Sequence, residues 1–471
     1  MTMPRSTPSA EGVDAKGLLA LLDAFEAPGN GYHSLMIARH GKVIAEGWWT
    51  PYGRDRVHLA YSLSKSFTST VLGHLVGEGV IDLDAPVWSY LADLDTIPEK
   101  WREVTVRHCI TMTVGHSADV WDWRGDDEPT STTAGDELFR LILEREPDDE
   151  PGEVWAYNQV GTYLVAQAIA AATGEPVTAH VRRLLLDPFG GAAAKAQRTW
   201  QGRDLGFSGM HMTTPSILAL AQTWLDGGVW QGQRIVPEGY AADAPKPSRA
   251  SLAGPDDGGD WSRGYGASFW SQAHGYRGDG AFGQFAVVLP EQDVAVAITS
   301  ETEIMQDTLD LLWRHLLPAI DAEPDPSADE ELALRLARLE CRPLSGTERR
   351  DPITLPRDPS SHLPETFSSA TLEPAADGHV LRFALPDGEL ATAVGDGQWL
   401  ESRWATPRGP ELVLAASGAW RDGVFVAELR LAETPHTILV ELDPSAGAAR
   451  LNWRLVPLTG ADPLSAAAFS F

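Results

Sequence analysis

Residues 58 to 83, HLAYSLSKSFTSTVLGHLVGEGVIDL, constrain this chain more than any other stretch, because they set Ser62 and Lys65 three residues apart inside an apolar run. Leu63, Phe67, Val71 and Leu75 recur every four residues, which predicts a helix from Ser62 to about residue 79. Ser62, Lys65, Ser66 and Ser69 fall on a different, small and polar face, expected to be free for chemistry. Gly77 and Gly79 supply the stop signal. In a helix this spacing stacks the Ser62 hydroxyl and the Lys65 amine one turn apart, close enough to touch.

A serine becomes a nucleophile when a neighbouring base takes its proton, and a buried lysine with a lowered pKa is such a base. Arginine cannot serve. The chain carries only six lysines against 31 arginines, so a lysine kept within an apolar helix points to a chemical reason. A lone S-x-x-K nevertheless arises by chance in roughly one such sequence in three, so its surroundings must carry the argument.

The length of 471 residues suggests about two to four structural units. With 43% hydrophobic and 22% charged residues, the composition is that of a soluble globular enzyme. A net charge of −29 argues against nucleic acid or an anionic membrane surface as partner. No window approaches the roughly 18 uninterrupted apolar residues of a membrane-spanning helix. The opening MTMPRSTPSAEGVDAKG has no apolar core after its arginine, so a cytoplasmic protein is expected. Cys109 and Cys341 form no disulfide framework and no metal-ligand spacing, and both are expected as packed thiols.

Along the chain, residues 14 to 26 have helical periodicity, and residues 34 to 49 read as two strands around a His40-Gly41-Lys42 turn. A mostly helical middle follows, with helices expected near 104 to 113, 137 to 144 and 158 to 174, and another whose N-cap is Thr214 before Pro215. Strand character returns at 264 to 270, 285 to 290 and 293 to 301, followed by an amphipathic helix over 307 to 320. The expected architecture is α+β: one antiparallel sheet made from both ends of the first 320 residues, helices on its faces, and a helical lobe. A cleft would lie between sheet and lobe. Residues 321 to 358 read as a linker with a short helix, and 359 to 471 as a separate antiparallel β-barrel or sandwich. Trp399, Trp404, Trp420 and Trp453 could supply that domain's core and an interface, either over the cleft or within a homodimer.

Six colinear segments carry a resemblance over residues 30 to 320, about two thirds of the chain: YSLSKSFTST, DLDAPV, VTVRHCITMTVGH, PGEVWAYNQVGTYL, DGGVWQGQRIVPEGY and GDGAFGQFAVVLPEQDVAVAIT. Together they resemble the serine β-lactamase, penicillin-binding protein and esterase superfamily, in its class C-like branch with the 6-aminohexanoate-oligomer hydrolases. The resemblance implies a cofactor-free and metal-free serine hydrolase acting on a small ester or amide. Ser62 would be the acylated nucleophile, Lys65 its proton acceptor, and Tyr157 the tyrosine of a Tyr-x-Asn motif that relays the proton to the leaving group. Gln159 stands where that motif has asparagine.

The superfamily's Lys-Thr-Gly motif is absent. Residues 274 to 281 occupy its place, with the register open between Gly275-Tyr276-Arg277 and Gly278-Asp279-Gly280-Ala281. Ser62 and Ala281, with Gly278 as the alternative, would supply the backbone N–H groups of an oxyanion hole. His274 near the missing lysine, or packed elsewhere, and Trp121, Asp122, Trp123 and Arg124 beside the pocket or in the core, complete the candidates together with Asp279 and Gly280. Without Lys-Thr-Gly, an esterase or small-amide hydrolase is expected ahead of a β-lactamase or D-amino-acid peptidase. A non-catalytic ligand-binding protein is the reading from another class.

Overall fold

The computed structural model describes residues 3–119, 135–191, 193–199, 202–253, 259–346, 351–406, 411–466 and 469–470. Strands β1 (Tyr32–Arg39) and β2 (Lys42–Trp48) form the expected hairpin. His40 and Gly41 turn it with φ of 51° and 70°, the left-handed pair that matches the twist of two-residue hairpins. Strands β3 (Trp270–Ser271), β4 (Tyr276–Gly280), β5 (Gln284–Leu289) and β6 (Val294–Ser300) complete one sheet in the order β2-β1-β6-β5-β4-β3, antiparallel throughout. The two ends of the first 320 residues therefore meet in its middle, where β1 pairs with β6.

Side chains alternate between two cores, which is why β5 and β6 read as nearly continuous apolar runs. Leu35, Ile37, Phe285, Val287, Val296 and Ile298 pack beneath helix α1 (Ala15–Phe25) and the run from Met305 to Ala319. Met36, Ala38, Ala286, Val288, Ala295 and Ala297 join the larger core. Helices α2 (Ser64–Gly77), α3 (Val160–Thr173) and α4 (Thr214–Leu225) bury their apolar residues there. Asp14 caps α1 by accepting the Lys16 N–H, and Gly174 ends α3 with φ 76°. The N-cap of α4 is Thr213 rather than Thr214, since its side chain accepts the Ser216 N–H and leaves Pro215 in the first turn. The strand expected over 264 to 270 is mostly a turn: Gly264 and Ser268 have φ of 94° and 67°, so only Trp270 enters β3.

The segment 321–358, read as a linker, carries helix α5 (Pro326–Leu336), whose Ala328, Leu332 and Leu336 pack into the α1 core. Its last residues begin the second sheet. That sheet has nine strands: β7 (Ile353–Pro356), β8 (Ser369–Ala375), β9 (Gly378–Leu385), β10 (Gly388–Gly395), β11 (Leu400–Trp404), β12 (Leu412–Arg421), β13 (Val424–Leu431), β14 (Thr437–Asp443) and β15 (Ala448–Trp453). Eight run in the order β7-β8-β9-β10-β12-β13-β14-β15, with β11 beside β12. A bridge from Arg357 to Ala449 brings the first strand round to the last, so the sheet is a nearly closed barrel.

Trp404, Trp420 and Trp453 fill the barrel with Phe367, Phe383 and Phe425. Trp399 lies outside that core, donating its indole N–H to Cys341 O at 2.8 Å while the Arg430 guanidinium sits over its ring. Lys195 pairs with Glu433, and the short strand Phe469–Ser470 pairs with residues 195 and 196, tying the barrel to the first domain. Both cysteines are free thiols. Among the described residues no helix is long and apolar enough to cross a membrane.

Candidate active site

The chain enters the site through a tight turn, Tyr61–Leu63, that leads directly into α2. Leu63, Phe67, Val71 and Leu75 are buried as their spacing requires, but the opposite face is not open to solvent as expected. Ser64, Lys65, Ser66, Thr68, Ser69 and Thr70 are buried as well, so α2 is a core helix on all sides. Its hydroxyls fasten the surrounding loops. Ser66 donates to Ser268 O at 2.8 Å, Thr68 to Gly206 O at 2.7 Å, Ser69 to Ala267 O at 2.7 Å, and Ser64 accepts the Met210 N–H at 3.1 Å.

Lys65 Nζ lies 3.2 Å from Ser62 Oγ, 2.7 Å from Gln159 Oε1 and 3.0 Å from Phe207 O. Burial drives its pKa down from 10.5 to about 7, against the pull of Asp119 and Asp279. Tyr157 completes the cluster: its phenol faces the Ser62 side chain, and its ring lies 4.8 Å from Lys65 Nζ. Burial holds the phenol well above its ordinary pKa, so it stays protonated. An aromatic box fixes the ring, with Trp270 stacked at 5.6 Å and Tyr265 edge-on at 5.8 Å.

Gln159 is itself held, its backbone N–H and Nε2 each 3.3 Å from the Asp119 carboxylate. The neighbouring Asn158 does local work, receiving the Gly161 N–H and donating to Ala156 O at the start of α3.

Packing shows which residues of the stretch 274 to 281 face the Ser62 turn. Gly278 and Gly280 lie on the face of β4 against α2, where β-carbons would come within 2.3 Å of Ser66 Oγ and 2.1 Å of Ala60 O. Only glycine lets the strand lie this close. Arg277 and Asp279 occupy the opposite face as a buried ion pair of 2.9 Å, the guanidinium lying over Trp261. Ala281 follows directly, at the turn beyond Gly280, whose α-carbon packs between Ala60 and Leu63 on either side of Tyr61 and Ser62.

His274 does not join this group. It lies in the turn between β3 and β4, roughly 20 Å of strand from Gly280, and its ring packs on Trp313 at 5.1 Å. Trp121, Asp122, Trp123 and Arg124 lie outside the described residues. Sequence reasoning missed Phe207, whose contribution is a backbone carbonyl that no residue type advertises, and Trp270 and Tyr265, which read as strand residues. Asp119 could have been flagged as an acidic residue near the GH at 115 and 116, but spacing alone gave it no role.

A sheet with a helical lobe and a Ser-x-x-Lys turn between them defines the β-lactamase-like class of serine hydrolases. The chain belongs to the beta-lactamase family, whose sequence model matches residues 25–318. It is similar to a 6-aminohexanoate-dimer hydrolase of Paenarthrobacter ureafaciens, 25% identical over 44% of this chain and 55% of that protein. It is also similar to Esterase EstB of Burkholderia gladioli, 27% identical over 40% of this chain and 54% of the esterase. The chain thus spans about half the length of the curated relatives it matches. In fold it is similar to the octameric penicillin-binding protein homologue from Pyrococcus abyssi, with a TM-score of 0.50 and 16% identity, over 88% of this chain and 96% of that one.

Proposed function

We propose that this chain cleaves small ester or amide bonds through an acyl-enzyme on Ser62. The observation that carries the reading is the environment of Lys65. A neutral amine has two hydrogens and one lone pair. Gln159 Oε1 and Phe207 O receive the hydrogens, which leaves the lone pair facing Ser62 Oγ at 3.2 Å. With its pKa near 7, Lys65 is in that neutral form for a large share of the time at ordinary pH.

In the forward step Ser62 Oγ attacks the acyl carbon as its proton passes to Lys65 Nζ. The oxygen of the tetrahedral intermediate is received by the Ser62 and Ala281 N–H groups. Tyr157, whose phenol faces Ser62, passes a proton to the departing alcohol or amine and is recharged from Lys65. Water then repeats the sequence on the acyl-enzyme and frees Ser62.

Charge narrows the substrate. In the register Gly278-Asp279-Gly280-Ala281, Gly278 takes the place of the superfamily motif's lysine, and the carboxylates acting on Lys65 are Asp119 and Asp279. Asp279 is offset by its ion pair with Arg277, which leaves Asp119 as the charge a substrate carboxylate would meet among the described residues, so neutral acyl esters and amides are favoured. The names of the two relatives, an esterase and a hydrolase of an amide-linked dimer, support this range.

The test is a panel of short acyl esters and amides assayed with wild type, Ser62→Ala and Lys65→Arg, beside labelling by a fluorophosphonate. Ser62→Ala should abolish turnover while the protein stays folded. Lys65→Arg should lose at least about a thousandfold in kcat, because the guanidinium keeps its charge and cannot accept a proton. Turnover surviving in Ser62→Ala, or a phosphonyl group mapped to another serine, overturns the proposal.

A further inference from the structure

Tyr61 immediately precedes Ser62 and has φ 47°, while Phe282 immediately follows Ala281 and has φ 66°. Both are bulky residues held in the left-handed region, a conformation that persists only when the surroundings over-determine it. The two rings face each other at 5.2 Å. The neighbours of both proposed oxyanion donors are thus in contact, and both are strained.

What braces them comes from the other domain. The hairpin joining β13 to β14 reaches across to the hydrolase region, where Glu433 O accepts the Leu59 N–H at 2.8 Å. Beside it His436, fully buried, packs edge-on against Phe282 at 4.7 Å and against Tyr61 at 5.8 Å. Its Nδ1 donates to Leu455 O at 3.0 Å, which leaves Nε2 as an acceptor, and the Tyr61 hydroxyl donates to it in a short hydrogen bond. Burial holds the imidazole neutral, its pKa pushed down to about 3, so the acceptor persists at any working pH. Trp453 closes the far side of the imidazole at 5.8 Å.

We propose that His436 of the C-terminal barrel is a positioning residue for the hydrolase: by bonding Tyr61 and packing on Phe282, it fixes the spacing of the Ser62 and Ala281 N–H groups. The proposal rests on the reading of Ser62 as nucleophile. It gives the barrel a part in the reaction without any barrel atom touching substrate.

Four variants of the full chain test it: Tyr61→Phe, which removes one oxygen, His436→Ala, His436→Gln, and the double variant Tyr61→Phe/His436→Ala. Each is assayed for kcat and KM on a short acyl ester, with the site of fluorophosphonate labelling mapped in parallel. Tyr61→Phe and His436→Ala should each lower kcat about 10- to 100-fold while KM moves less than about threefold. The double variant should be no worse than the poorer single one, since both break the same bond. His436→Gln, which keeps an acceptor, should recover most of the loss.

Wild-type kcat in Tyr61→Phe, or losses that multiply in the double variant, overturn the positioning role. If His436→Ala fails to fold, Tyr61→Phe alone decides. Failure of the underlying reading looks different: there the phosphonyl group maps away from Ser62 and Ser62→Ala keeps its turnover, whatever the His436 variants do.

Discussion

Gly280 lies so close to Ala60 that a β-carbon added to it would sit 2.1 Å from the Ala60 carbonyl oxygen. The obstacle is backbone on both sides, so neither partner can swing away. The separation of strand β4 from the Ser62 turn is therefore set by the absence of a side chain. Gly280→Ala should push the strand outward and widen the gap between the Ser62 and Ala281 N–H groups. The expected outcome is a loss of at least about 100-fold in kcat/KM on esters. Gly278→Ala should be milder, because the atoms it meets are side chain, the Ser66 hydroxyl at 2.3 Å and Leu63 Cδ1 at 2.8 Å, both of which can rotate, and Ser66 Cβ only at 3.0 Å. Steady-state kinetics of the two variants, with melting temperatures alongside, check the ranking.

The lowered pKa of Lys65 makes a pH prediction with a definite sign. The amine works when neutral, and the fold brings its pKa down to about 7. Activity should therefore rise with pH below about 7 and level off above it. Asp119 pulls this pKa upward, so Asp119→Asn should move the rising limb to lower pH. A kcat/KM profile from pH 5 to 9 for wild type and Asp119→Asn gives the answer, and a limb that moves upward or stays fixed contradicts the assignment.

Gln159→Leu should lower kcat about 10- to 100-fold, because it leaves one hydrogen of the buried amine without its acceptor at 2.7 Å. Gln159→Asn should lie between wild type and Leu. The shorter amide keeps the chemistry but must stretch to reach Lys65. Kinetics of the two variants on one ester, read as kcat against KM, separate this effect from a loss of substrate binding.

Glu301 lies at the end of β6, buried, accepting the Thr437 backbone N–H at 3.1 Å and its hydroxyl at 2.7 Å across the barrel interface. Burial raises its pKa from 4.5 to about 7. In that window the folded protein binds a proton that the unfolded chain has released, so this group's contribution is present at pH 4.5 and lost as pH rises through 7. The loss is at most roughly 3 kcal/mol. Glu301→Gln should flatten this part of the stability profile, measured by urea denaturation at pH 5 and pH 8.

The legible and illegible parts of this molecule divide by how far each signal reaches. Ser62 and Lys65 could be paired from sequence because a helical turn fixes residues three apart, and the hairpin at His40-Gly41 because its strands are neighbours in the chain. The β4 register could not be read. Its determinant is contact between Gly280 and Ala60, a matter of backbone clearance across 220 residues that no local pattern encodes. The strand expected over 264 to 270 failed for a related reason: its alternation was real, but Ser268 takes φ 67° and its carbonyl receives the Ser66 hydroxyl instead of joining a ladder. Thr214 read as the cap because Pro215 follows it, and it is the Thr213 side chain that accepts the Ser216 N–H. The segment 321–358 looked solvated because its charges are on the surface, while the three apolar residues of α5 that dock it on α1 are too few to outweigh them in composition.

The hydrogen bond between Tyr61 and His436 joins residues 375 positions apart. A ribosome delivers them in order, so the helical lobe and the sheet are complete and free to collapse while the imidazole that holds Tyr61 has yet to be synthesised. On the proposed role of His436, the turn bearing Ser62 takes its final shape only once the barrel has been made, although it lies near the beginning of the chain. By that same role, an N-terminal region that has collapsed before the barrel is made carries the same deficit as His436→Ala, and the arrival of the imidazole completes the site.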